Sequence, residues 1–151
     1  MKHKIRLAEA SHSVGILNIY APYITDTSVS FETEVPTTCD FAARVENITK
    51  QYPFLVCEVG EVIVGYTYAT KHRERAAYLY DVDVSIYVLP EYHGSGIAYK
   101  LYSCLFALLK ELGYKNAYAA CTQPNANKEG LSRLLVQNRG FFGLLPFIKL
   151  R

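Results

Sequence analysis

Apolar and polar positions change their period several times along the chain, and each change predicts an element. Lys4 to Leu7 alternates as a short first strand, and Ser11 is placed to cap a helix carrying Val14, Ile16, Leu17 and Tyr20. A polar segment from Thr25 to Pro36, dense in Thr and Ser, holds Phe31 and Glu32. Thr37 or Thr38 starts a second helix with Phe41, Val45 and Ile48 as its apolar stripe. Phe54 to Val59, a Gly60-Glu61 turn and Val62 to Ala69 predict a hairpin, and Ala77 to Val88 a long strand. Beyond it Ile97, Leu101, Leu105, Leu108 and Leu112 recur at helical spacing until Gly113. Asn116 to Cys121 follows as a strand that the helical crossover makes parallel to its predecessor. A further helix from Glu129 to Asn138 and a final apolar segment, Phe141 to Leu150, complete the pattern. Neither repeat nor linker interrupts it, so residues 1–151 read as a single domain.

The junction between the long strand and the main helix is the most informative stretch. Val88, Leu89 and Pro90 lead into His93-Gly94-Ser95-Gly96-Ile97-Ala98 and then the helix. Two glycines permit a tight turn and leave no side chain over the helix start. The N–H groups of Ser95, Gly96, Ile97 and Ala98 are then expected to face outward with the positive end of the helix dipole, a site suited to a diphosphate. A nucleotide P-loop would need a Lys and a hydroxyl directly after its last glycine, and Gly96 is followed by Ile97 and Ala98. A dinucleotide fingerprint would need a third small residue where Tyr99 stands, and a βαβ unit opening the domain.

The remaining pattern is Arg/Gln-x-x-Gly-x-Gly/Ala after a strand ending in Val-x-Pro, and it resembles the acetyl-CoA loop of the GNAT N-acetyltransferases. His93 stands at its first position and is the one departure. The chain as a whole, across roughly residues 4 to 141, resembles the phosphinothricin acetyltransferase type. The matching pieces include Ser30-Phe31-Glu32, Pro36-Thr37, Tyr52-Pro53, Gly65-Tyr66, Tyr68-Ala69, Arg73, Arg75, Ala77-Tyr78 and the run Val82-Asp83-Val84-Ser85-Ile86-Tyr87-Val88. The resemblance implies an α+β GNAT fold: a mixed, mostly antiparallel sheet with a splayed parallel pair at its centre and helices on both faces. It also implies a C-terminal strand that is shortened or missing, since the family continues past the position of Arg151, and a homodimer that could fill the gap.

The same resemblance implies the chemistry. Acetyl-CoA would lie in the splay, its pantetheine pairing with backbone groups of Ile86, Tyr87 and Val88, with a backbone N–H near Val88 as oxyanion donor. Asp83 stands where the family carries a carboxylate, usually Glu, and is expected to act as base through a water relay, its reach shorter by one methylene. Two other readings stay open: Asp83 paired structurally with Arg73 or Arg75, or Asp81, two residues away on the same face, in its place. Arg73 and Arg75 suit a substrate carboxylate, and equally a solvated charged loop. Phe31, Glu32 and Tyr78 complete the expected substrate pocket. The last third departs from the family: by count from Gly140, Ser132 keeps its place, Glu129 replaces an Asn, and Val136 replaces the Tyr or His that protonates the leaving thiolate. Asn125 or Asn127 is expected to supply the lost amide contact to the cofactor.

Composition narrows the classes. Net charge is +2 and scattered, which argues against a nucleic-acid partner. No charge-free apolar run is long enough to span a bilayer, and no apolar core follows the basic start, so a cytoplasmic protein is expected. Cys39, Cys57, Cys104 and Cys121 are far apart and without a His at ligand spacing, which points away from zinc and disulfides. The leading reading is an N-acetyltransferase for a small amine, an amino acid or analogue such as phosphinothricin or methionine sulfoximine. The alternatives are a protein or peptide N-acetyltransferase, and a CoA-binding protein with weak or no catalysis.

Overall fold

A computed structural model describes residues 2–26, 32–72, 79–122 and 145–149. Its six strands lie in one sheet in chain order. Strand β1 is His3–Leu7, β2 Phe54–Val59, β3 Val62–Lys71 and β4 Asp81–Val88, each antiparallel to the one before. Strands β5, Asn116–Thr122, and β6, Leu145–Lys149, add on in parallel. Helices α1, Ser13–Thr25, and α2, Thr38–Thr49, cover one face, and α3, Ile97–Glu111, covers the other. This is the α+β mixed sheet expected from the sequence, with β6 as an edge strand beside β5.

Local sequence explains most element ends. Thr37 accepts a hydrogen bond from the Asp40 N–H and caps α2. Ser11 does not cap α1. A single 3₁₀ turn, Ala10–His12, comes first, closed by the Glu9 N–H donating to His12 Nδ1 at 2.9 Å, and Ser13 Oγ bonds back to Ala10. Strand β4 starts at Asp81 rather than Ala77, because the Tyr80 carbonyl takes the N–H groups of Lys115 and Asn116 at the entry to β5. Residues 73–78 and the expected helix over 129–138 lie outside the described residues.

Two irregularities shape the centre of the sheet. Between β2 and β3 the register passes from Cys57↔Gly65 to Glu58↔Ile63, so Val64 is an extra residue and the sheet twists there. Between β4 and β5 the pairing runs from Asp81↔Asn116 to Val84↔Ala119 and ends, while β4 continues to Val88 and β5 turns to β6. The central parallel pair is therefore splayed, as expected.

Helix α3 buries Ile97, Leu101, Tyr102, Leu105, Phe106 and Leu109 against the sheet. Leu108 and Leu112 of the expected stripe are 37% and 61% exposed, because the buried face is centred one step further round the helix. Gly65 lets its first turn approach: a Cβ there would sit 3.2 Å from both Leu101 Cδ1 and Val88 Cγ2, and 3.3 Å from Ile97 Cγ2. The glycine on β3 thus sets how closely the start of α3 seats against the end of β4.

Candidate active site

The turn before α3 has the shape the glycines predicted. Gly94 and Gly96 adopt φ of 76° and 83°, a region that other residues rarely enter. A Cβ at either would meet nothing within 4 Å, so the space above the turn is open. The first intrahelical bond is Lys100 N–H to Gly96 C=O at 3.1 Å, which leaves Ile97, Ala98 and Tyr99 N–H groups at the dipole's positive end. Ser95 differs from expectation: its N–H donates to the Tyr92 carbonyl at 3.3 Å and its hydroxyl to the same oxygen at 2.5 Å. Ser95 closes the preceding turn. The anion-binding groups are those one step later.

His93 turns away from the glycine turn. Its Nε2 lies 3.0 Å from the Val88 carbonyl oxygen and 3.4 Å from the Tyr23 hydroxyl, which itself donates to that carbonyl at 2.8 Å. Burial pushes the Tyr23 hydroxyl pKa up, against the bond to Val88. These contacts fix which edge Val88 presents. Leu89 N–H bonds the Val64 carbonyl across β3, so by strand alternation Val88 and Ile86 turn their backbone groups toward the splay. Of the three residues expected to pair with a cofactor, Ile86 and Val88 present backbone groups to the opening, whereas Tyr87 turns its own toward β3. The sequence did not anticipate that side chains from α1 and the turn would take the Val88 carbonyl.

Asp83 lies on the α1/α2 face of β4, beside the splay, with its side chain 47% exposed. Its partner is His72, with Nδ1 2.5 Å from Oδ1. Arg73 and Arg75 lie outside the described residues, as do Phe31, Tyr78, Asn125, Asn127, Glu129, Ser132 and Val136. Asp81 is engaged elsewhere: Asn116 Nδ2 donates to it at 2.8 Å, and the Tyr118 hydroxyl at 3.5 Å. His72 was hidden in the charged run from Lys71 to Arg75. The readable signal was its place just past the end of a strand antiparallel to that of Asp83.

Glu32 enters the same face from the segment before α2. Arg44 holds it with two bonds, 2.7 and 3.2 Å, and the Tyr20 hydroxyl donates at 2.5 Å. The guanidinium, first of all, keeps the Glu32 carboxyl below the usual range, and Glu32 in turn raises Arg44. Arg44 also lies 5.2 Å over the Phe41 ring. Between Glu32 and Val88 runs a cluster of rings: Tyr20 and Tyr23 meet Tyr87 edge-on at 5.2 and 5.1 Å, and Tyr66 stacks on Tyr87 at 5.2 Å. Burial raises the Tyr66 and Tyr87 hydroxyls well above their ordinary pKa, so they stay protonated. Among the described residues no group of three or more His, Cys, Asp or Glu is placed to hold a metal ion.

A strand that parts from its neighbour, an open glycine turn behind it and a half-exposed carboxylate beside it are what a CoA thioester and an amine would need. Comparison with known proteins agrees. The family model for acetyltransferases of the GNAT type matches residues 16–134. A phosphinothricin N-acetyltransferase of Streptomyces viridochromogenes is 31% identical over 122 residues, 81% of this chain and 67% of that protein. Another from Alcaligenes faecalis is 31% identical over 104 residues, 68% of this chain and 53% of its own length. The chain thus spans from about half to two thirds of the length of these curated relatives. The crystal structure of a GNAT superfamily phosphinothricin acetyltransferase from Sinorhizobium meliloti, in complex with AcCoA, matches with a TM-score of 0.82 and 31% identity, over 89% of this chain and 74% of that one.

Proposed function

The chain belongs to the acetyltransferase (GNAT) family with acetyl-CoA as its cosubstrate, and from that premise we propose that it acetylates the primary amine of a small amino-acid-like anion, of the phosphinothricin or methionine sulfoximine type. The observation that carries this is the parting of β4 from β5 after Val84, directly below the open turn at Gly94 and Gly96. Acetyl-CoA supplies the activated acyl group. Ile97, Ala98 and Tyr99 N–H groups are placed to hold its diphosphate, and Ile86 and Val88 to pair with its pantetheine.

Each protein group has a distinct task. The Val88 N–H, turned to the splay, would stabilise the carbonyl oxygen as charge builds on it. Asp83 would receive the proton of the amine. Five residue steps of extended strand separate it from Val88, about 16 Å, so the proton travels through water rather than by contact. Ser85 and Tyr68, register partners across β3 and β4, border the strand between them. Glu32, kept ionised by Arg44, would attract the ammonium form. Arg73 or Arg75 would fork the substrate carboxylate, with Phe31 and Tyr78 as pocket walls.

Cytoplasmic location and a homodimer belong to the same reading. Cys39, Cys57 and Cys104 are free thiols, as in a reducing compartment, and no described helix is long and apolar enough to cross a membrane. Exposed Leu79, Tyr80 and Leu112 at one end of the sheet offer apolar area for a second subunit, which light scattering would test.

The deciding experiment is a thiol-release screen over small amines, with the Asp83→Asn variant alongside. Asp83→Asn should lower kcat at neutral pH by about 10²–10⁴-fold while CoA affinity holds. Wild-type turnover in that variant would return Asp83 to a structural role. CoA binding without thiol release from any amine would favour a CoA-binding protein that has lost catalysis.

A further inference from the structure

His72 is where the chain leaves β3, one residue beyond the register pair Lys71↔Val82. There its Nδ1 meets Asp83 Oδ1 at 2.5 Å. An ionised carboxylate only accepts, so the imidazole Nδ1–H is the donor. The ring is held on its face as well, stacked on Tyr118 of β5 with centroids 4.2 Å apart and planes 16° from parallel. The two partners differ in exposure: His72 is 15% exposed and Asp83 47%. One end of the pair is packed into the sheet, and the other reaches the cleft.

An aspartate has a problem that its own packing does not solve. It is short, and a half-exposed carboxylate on a strand rotates among several positions, so either oxygen could point anywhere. Among the described residues, other groups around it have bonds of their own or face it across the sheet. Asp81 is bound by Asn116 and Tyr118, the facing residue on β3 is Thr70, and the Glu32 carboxylate is held by Arg44. His72 supplies such a constraint.

We infer that His72 is a positioning residue for the transfer, acting through Asp83: by donating Nδ1–H to Oδ1 it fixes the carboxylate and leaves Oδ2 as the oxygen that accepts the proton. The inference rests on the reading of Asp83 as proton acceptor given above. In the step it serves, the amine nitrogen gives its proton through water to Oδ2, each water passing one proton on as it takes one. The freed lone pair forms the C–N bond, the C–S bond breaks with its electrons going to sulfur, and the second proton lost from nitrogen passes through water to the thiolate, leaving an amide and a thiol. The imidazole keeps its Nδ1–H throughout, and Asp83 later returns the proton to solvent.

Two substitutions separate this role from simple packing. His72→Phe keeps a ring on Tyr118 and removes the donor. His72→Asn removes the ring but places an amide N–H at about the position of Nδ1. With the best amine from the screen, His72→Phe should lower kcat about 10–100-fold, as loss of orientation does, with KM for acetyl-CoA unchanged. His72→Asn should recover most of that loss. In an Asp83→Asn background, His72→Phe should add nothing, because the group being positioned is gone. A signature that needs no substrate is the His72 Nδ1–H itself, expected as a downfield imidazole resonance in the NMR spectrum that disappears in both His72→Phe and Asp83→Asn.

Wild-type kcat in His72→Phe, equal losses in the Phe and Asn variants, independent losses in the double variant, or no such resonance in the wild-type protein would each overturn the inference. The underlying reading fails differently. Asp83→Asn turning over at the wild-type rate removes the proton acceptor itself, whereas a slow Asp83→Asn beside a fast His72→Phe removes only the positioning role.

Discussion

Toward α3 the sheet presents Leu55, Cys57, Val82, Val84 and Ala119, closed over by Leu101, Leu105 and Leu109. Toward α1 and α2 it presents Phe54, Val56, Tyr66, Tyr68 and Tyr87, met by Tyr20, Tyr23 and Phe41. Both faces bury apolar area, and α3 adds the stacked pair Tyr102 and Phe106 on its side, but the strands there present aliphatic groups. Tyrosines carry a hydroxyl at the far end of each ring, and those hydroxyls need partners. The Tyr20 and Tyr23 hydroxyls reach Glu32 and Val88. The α3 face therefore acts as support, and the opposite face packs equally well while ending in an ordered polar rim beside the splay.

The largest effect should come from the supporting face. Leu105 is fully buried among Leu101, Leu109 and the strands. Leu105→Ala should cost about 2–5 kcal/mol of stability, read by chemical denaturation, because the rigid sheet collapses only partly into the cavity. At temperatures where the variant is folded, its affinity for CoA should be unchanged. If Leu105→Ala weakened CoA binding as strongly as it weakened the fold, the division of labour between the faces would be wrong.

Next in size is the glycine turn, where α3 passes from support to site. CoA should raise Tm, by about 2.7 kcal/mol of linkage at a hundredfold excess over Kd. Gly96→Asp should remove that shift. It puts a Cβ at φ 83° and a carboxylate in the space where a diphosphate would sit. An undiminished shift in this variant would move the cofactor elsewhere.

The faces also differ in how far they could be read from the sequence. The turn, the cap at Thr37 and the hairpin were legible because each is local: positive φ demands glycine, a bare helix start wants a hydroxyl. The buried face of α3 was misplaced by one step, since periodicity marks a stripe but the sheet decides its centre. The contacts of the tyrosine face were out of reach. Whether His72 meets Asp83 depends on the β3–β4 register, and a strand slipped by one residue turns every side chain over. The partner of Glu32 is a helix residue twelve positions on, and nothing between them encodes the meeting.

The smallest effect tests that last pair, and its sign can be worked out. Arg44 holds the Glu32 carboxyl below its ordinary pKa in the folded protein. A lowered folded pKa contributes stability that is present above the unfolded value, about 4.3, and is lost as pH falls through the folded one. Wild type should therefore be more stable than Glu32→Gln at neutral pH, with the gap closing in acid. The gap should be at most about 1 kcal/mol, since the two side chains are 40% and 34% exposed and water screens them. Added salt should shrink it further. Thermal melts of the two proteins from pH 7 down to pH 3 would read it. A gap that grew in acid would mean that burial outweighs both Arg44 and Tyr20 at Glu32, since both partners favour the ionised carboxyl and burial alone opposes it.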